Sequence, residues 1–134
     1  MKDVEARSSR VGSLIALPEI LEKLQVSPGE IFRRAGIASQ LFENPEHRVA
    51  HDDICRLLAI CSSATARPDF GLLLGQTFTI DKFGTLGELM LRSATVREAL
   101  KMLVLYLYHD DRAATPLLLR QKQDEVFLGY MLRR

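Results

Sequence analysis

Residues 95–134, TVREALKMLVLYLYHDDRAATPLLLRQKQDEVFLGYMLRR, contain the change of pattern that decides the fold class. Thr95-Val96-Arg97-Glu98 has the spacing of a capping box: a threonine oxygen can accept from the amide three residues on, and the glutamate can reach back. It opens a helix predicted over 96–108. Val96, Leu100, Leu103, Val104 and Leu107 fall on one face, and Met102, Leu105 and Tyr106 cover much of the rest. A helix that is apolar nearly all round is expected to be a buried, central one. Past Asp110 the 3.6-residue period is lost. Leu117–Arg120 and Val126–Leu132 read as strands joined by the polar loop Gln121-Lys122-Gln123-Asp124-Glu125, a β-hairpin. Helices first and strands last make an α+β chain: an N-terminal helical layer packed with a C-terminal antiparallel hairpin or small sheet. A lone hairpin has two open edges, so the sheet is expected to be incomplete or to pair with another copy.

Upstream the signals are helical. Residues 1–10 read as a solvated, flexible tail, and residues 11–134 as a single domain. Pro18 sits near the start of a short helix over 18–24, where its missing N–H costs nothing. Ser27-Pro28-Gly29-Glu30 has a second capping-box spacing and opens a helix over 28–35 that stops at Gly36, a favourable residue just past a helix end. One further turn is expected around Gln40–Glu43. Ile54, Leu57, Leu58 and Cys61 repeat at helical spacing over 52–65, with Asp52 and Asp53 at the positive end of the helix dipole. After Pro68, Asp69 is placed to cap a short helix over 70–74 closed by Gly75. Residues 77–83 read as a loop or a short extended piece, and 84–91 as a small, mostly apolar helix.

The bulk composition narrows the function classes. The chain has 134 residues, 47% of them hydrophobic and 26% charged, with 18 basic and 17 acidic side chains for a net charge of +1. A chain of this length buries roughly 68% of its unfolded surface, enough for a core without disulfides or metal. The near-neutral balance argues against a domain that lives on phosphate contacts. The polar start and the short longest apolar run, 102–108, give no expectation of a signal peptide or membrane span. Two cysteines do not make a disulfide framework, so a reducing, cytoplasmic compartment is the default reading.

Four constellations carry possible chemistry, and each has a plainer reading. Residues 21–37, LEKLQVSPGEIFRRAGI, outline a DNA-binding helix-turn-helix, the alternative function for this chain. Its second helix, however, opens with proline and glycine, which have nothing to read bases with, so a plain helical pair is the stronger reading. His51-Asp52-Asp53 and His109-Asp110-Asp111 are identical triplets, but consecutive helical residues diverge, so neither is a metal-ligand face by itself. Cys55 and Cys61 lie about 240° apart around a helix and cannot share a metal. Phe83-Gly84-Thr85-Leu86-Gly87 lacks the full phosphate-cradling pattern, and tight packing is the better reading of its glycines. No catalytic set, cofactor site or metal site emerges.

Taken in order, several segments resemble one family: Val11-Gly12-Ser13, Leu17-Pro18-Glu19-Ile20-Leu21, Ala35-Gly36-Ile37, the stretch 69–76 (DFGLLLGQ), the stretch 83–100 (FGTLGELMLRSATVREAL), and Leu128-Gly129-Tyr130. Together they are similar to the N-terminal effector domain, often called the arabinose-binding domain, of bacterial AraC-type transcription regulators. The resemblance implies a cytoplasmic, non-enzymatic domain that senses a small organic effector, forms a homodimer, and acts on DNA only through a C-terminal reader domain that is not in this chain. It also implies that the sensor continues past the hairpin, so the chain is expected to be truncated relative to the family. The effector pocket is expected where the long helix hands over to the sheet, with Tyr106, His109, Asp111 and Arg112 supplying polar groups and Tyr130 facing them from the hairpin.

Overall fold

The computed structural model of the chain describes residues 7–109, 111–122 and 125–132. Among these lie six α-helices and four strands, an α+β chain with its helices first and its long hairpin last. The strands are β1 (Ser8–Arg10), β2 (Arg48–Ala50), β3 (Ala114–Lys122) and β4 (Glu125–Leu132), paired β1 with β2 and β3 with β4. The helices are α1 (Leu17–Lys23), α2 (Pro28–Ala35), α3 (His51–Ala64), α4 (Phe70–Gln76), α5 (Thr85–Leu91) and α6 (Val96–Tyr106). The chain divides into two compact units, a division that the reading of one domain over 11–134 does not draw. One is Arg10–Thr79; the other takes the residues up to Ser9 together with Ile80 onward.

In the unit Arg10–Thr79, α1 to α4 close a core around Leu17, Leu21, Ile31, Leu57, Cys61 and Phe70, all essentially excluded from solvent. The apolar spacing read over α3 places Leu57 and Cys61 in that core. Phe32 stacks on Phe42, ring centroids 4.6 Å apart, which fastens the 3-10 turn Ser39–Glu43 to α2. Gly36 ends α2 at φ 67°, a left-handed conformation open to glycine without steric cost. Arg56 of α3 donates from Nε to the Ala35 carbonyl at 3.0 Å, satisfying one of the acceptors a helix end leaves bare. The expected Ser27–Glu30 capping box does not form. Ser27 stands at the N-cap without a side-chain bond, and Glu30 is held instead by the Arg33 guanidinium at 2.7–3.1 Å, because one turn along a helix is the nearer charge. Asp69 likewise precedes α4 without capping it and pairs with Arg67.

In the second unit, a 3-10 turn (Ile80–Phe83) packs on α5, α5 packs on α6, and α6 packs on β3. Gly87 is required by the first contact. A β-carbon there would lie 2.0 Å from the Ile80 carbonyl oxygen, so glycine lets two backbones approach. The Thr95 box forms: Glu98 N donates to Thr95 Oγ1 at 3.2 Å, and Ala94 N donates to Glu98 Oε2 at 3.0 Å. Helix α6 corrects the expectation of a buried central helix. It has no fully buried residue, with Val96 77% and Leu105 65% exposed. Its apolar surplus exceeds what its neighbours cover: Ala99, Met102 and Leu103 pack against Leu86, Met90 and Leu107, while the opposite stripe faces outward.

The hairpin is antiparallel, with register from Ala114↔Leu132 through Leu118↔Leu128 to Lys122↔Glu125 and an irregularity between Arg120 and Lys122. Both strands run longer than their apolar cores, because backbone pairing carries Ala114-Thr115-Pro116 and Glu125 into the ladder.

Candidate functional site

The turn that joins α6 to β3 gathers several polar contacts from three parts of its unit. Helix α6 tightens into a 3-10 turn, Leu107–His109, whose first carbonyl accepts from Asp111 N at 2.8 Å. Leu107 is buried in the second core and anchors the turn from below. Asp111 then begins the path into β3. Its Oδ1 accepts from Ser9 Oγ at 2.8 Å and from the Ala113 amide at 2.9 Å. Its Oδ2 accepts from the Tyr130 hydroxyl, which reaches over from β4. A bridge between Ser9 and Asp111, and a bond from Arg112 N to the Ser8 carbonyl at 3.0 Å, lay the N-terminal segment alongside this turn.

One carboxylate thereby ties together the N-terminal segment, the start of β3 and the middle of β4. Buried and half-buried hydrogen bonds of this kind to a charged acceptor are the stronger sort. Ser9 is 8% exposed, Tyr130 56%, so the inner half of the cluster is dry and the outer half is wet.

Of the five residues expected to line a pocket, the structure brings Asp111 and Tyr130 into direct contact. Arg112 follows Asp111 and is half-buried; His109 is exposed at the end of the 3-10 turn; Tyr106, 41% exposed, ends α6. All five belong to the same compact unit. Asp110, the middle of the second His-Asp-Asp triplet, lies outside the described residues.

Ser8 and Ser9 were missed by sequence reasoning. Residues 8–10, read as part of a flexible tail, form β1, and Ser8 and Ser9 are buried. Two serines beside charged residues carry no apolar period, so only their tertiary partners reveal them. Residues 1–6 of the same expected tail lie outside the described residues.

The remaining constellations fall elsewhere. The helix pair over 21–37 turns Leu21, Ile31, Phe32 and Ala35 into the core of its unit, and Arg33 is engaged by Glu30. That guanidinium holds the Glu30 carboxyl below the usual range. In the first triplet, Asp53 pairs with Arg56 along α3, and His51 Nε2 lies 3.5 Å from Cys55 Sγ. Cys61 is buried, and the loss of water around its thiol pushes its pKa up to about 11. Among the described residues no group of three or more His, Cys, Asp and Glu stands ready to hold a metal, and no helix is long and apolar enough to cross a membrane.

The profile of the arabinose-binding domain of AraC transcription regulators, N-terminal, matches residues 26–133. A relative with a described role, the ornithine utilization regulator of Pseudomonas aeruginosa, is 26% identical over 91 residues, 68% of this chain. The aligned stretch spans about a quarter of that relative's length, 27%.

Proposed function

The chain belongs to the family of N-terminal arabinose-binding domains of AraC transcription regulators, and from that premise we propose that it is a non-enzymatic sensor. It binds a small organic effector, associates as a homodimer, and controls DNA binding carried out by a separate reader domain, in the cytoplasm. The observation that carries this reading is the extent of the match, which takes in most of the first compact unit and the whole α5–α6–hairpin arrangement of the second.

The effector site is the turn between α6 and β3, with Tyr106, His109, Asp111, Arg112 and Tyr130 as its polar groups. What supports it is chemical. A carboxylate, a guanidinium, an imidazole and two phenols on one short turn and its facing strand suit a ligand rich in hydroxyls or amines. The Asp111–Tyr130 bond supplies a two-state element. A ligand donating to Asp111 in place of the exposed tyrosine frees β4 from the turn, whereas one that bridges the two groups fastens it. Either shifts the balance between arrangements only as far as the ligand's affinities for them differ.

The test is a thermal-shift screen of the chain against a panel of sugars, polyols, amino acids and diamines. L-Arabinose and ornithine are included because the family description and the relative's name point to them. A ligand at one hundred times its dissociation constant stabilises by about 2.7 kcal/mol, a shift of several degrees. That shift should vanish in R112A and Y130F. A ligand whose effect survives both substitutions would move the site elsewhere, and no shift across the panel would count against sensing by this chain.

A further inference from the structure

We propose that His51 and Cys55, one turn apart on α3, form a chelate for a thiophilic divalent cation of the zinc class. This is a second ligand site, in the unit Arg10–Thr79 rather than in the unit that holds the organic-effector turn.

The helix itself sets the pair. Residues four apart on an α-helix lie one above the other on the same face. Nε2 of His51 stands 3.5 Å from Sγ of Cys55. That gap is the bite of a tetrahedral ion. With a metal–sulfur bond of about 2.3 Å and a metal–nitrogen bond of about 2.0–2.1 Å, donors at the tetrahedral angle lie about 3.5–3.6 Å apart. At the right angle of an octahedral ion the same bonds would need about 3.1 Å. The two donor atoms therefore already stand at the separation that a tetrahedral ion requires.

The surroundings leave the pair accessible. Cys55 is exposed and His51 half-buried, while α3 turns Leu57 and Cys61 into the core. Cys61 is no rival, because its thiol is fully buried and resists the ionisation that coordination requires. Ala59, one turn beyond Cys55, is exposed and small, so the approach along the helix is open. Asp53 pairs with Arg56, but the exposed Asp52 beside His51 adds a negative charge that offsets the positive end of the helix dipole.

The donor types select the ion. A thiolate and an imidazole favour zinc, cobalt(II) and cadmium over the hard cations magnesium and calcium. Binding releases one proton, from the Cys55 thiol to solvent. The neutral imidazole gives its Nε2 lone pair and keeps its proton on Nδ1. The hydrated ion exchanges water for the two donors and keeps water at its remaining positions. With two protein ligands the site stays open, unlike a four-ligand structural site. The ion bridges the first turn of α3, so its binding favours the folded chain.

The test is a cobalt(II) titration of the reduced 134-residue chain beside H51A and C55S. It is read by the thiolate-to-metal charge-transfer band in the near ultraviolet and the visible bands of tetrahedral cobalt. Neither substituted side chain is in the core, so both variants should keep the fold. The wild type should bind one ion per chain. C55S should lose the charge-transfer band, and H51A should bind at least about tenfold more weakly. Zinc should bleach the bands by displacement and magnesium should not. Zinc should also raise the Tm of the wild type by a few degrees and leave that of C55S unchanged. A wild type without the charge-transfer band overturns the proposal. So does a band that survives in C55S, which would place the thiol at Cys61, or an affinity unchanged in H51A, which would leave a lone thiolate. An end point of half an ion per chain overturns the open two-ligand site, since two chains then share the ion.

Discussion

Removing the Asp111 carboxylate should cost the chain a large part of its stability, and the size of the loss can be worked from its partners. In D111A the Ser9 hydroxyl and the Ala113 amide both lose their acceptor. Ser9 is buried, and water cannot readily replace the lost bond. A buried donor left unmade costs about 1–3 kcal/mol. The Tyr130 hydroxyl lies at an exposed end, where water takes the place of Asp111, and adds about 0.5–1 kcal/mol. Allowing for relaxation, the sum is about 3 kcal/mol out of a total of about 5–15 for a domain. For a chain of this length that corresponds to a fall in Tm of roughly 10 °C. Urea denaturation and calorimetry of the wild type, D111A, S9A and the double variant measure it. S9A alone should cost about 1 kcal/mol, and the cycle should show coupling of at least about 0.5 kcal/mol between the two residues. D111N, which keeps an oxygen for Ser9 and Ala113, should fall between wild type and D111A. If D111A lies within about 0.5 kcal/mol of the wild type, the carboxylate does not hold the N-terminal segment to the hairpin and the reasoning fails.

Three further outcomes separate packing from propensity. Gly87→Ala should destabilise by about 2–3 kcal/mol, because its β-carbon meets the Ile80 backbone, whereas Gly71→Ala, in open space within α4, should stabilise by about 0.5–1 kcal/mol; denaturant midpoints decide both. Thr95→Ala should cost about 1 kcal/mol through its lost cap, and Ser27→Ala close to nothing, since Ser27 makes no cap bond; equal costs would contradict the geometry. The raised pKa of Cys61, about 11 against an ordinary 9.0, means that the unfolded chain releases this proton first, so stability is intact below pH 9 and falls by up to about 3 kcal/mol as pH rises from 9 to 11. C61A should flatten that slope, and a thiol reagent at pH 8 should modify exposed Cys55 while leaving Cys61 until the chain unfolds.

Much of the local structure was legible because local signals met no stronger competitor. The Thr95 box, the Gly36 stop and the Leu57–Cys61 face of α3 each depend on neighbours within four residues. Competition explains the failures. Ser27-Pro28-Gly29-Glu30 has the spacing of a cap, yet Arg33, one turn on, takes the glutamate. Asp69 stands where a cap belongs and goes to Arg67. Periodicity could say that α6 is apolar on nearly every side, but not how much of that surface its neighbours cover.

By itself the sequence determined the main helices, the α+β class, the hairpin and the family, because period, turn chemistry and segment order are properties of the chain read in one direction. Tertiary structure decided what lies next to what: that Ser9 reaches Asp111, 102 residues on, that Tyr130 closes over the same carboxylate, and that Gly87 admits a backbone. These contacts join residues far apart in the chain, and their free energy appears only when folding has closed the loops between them.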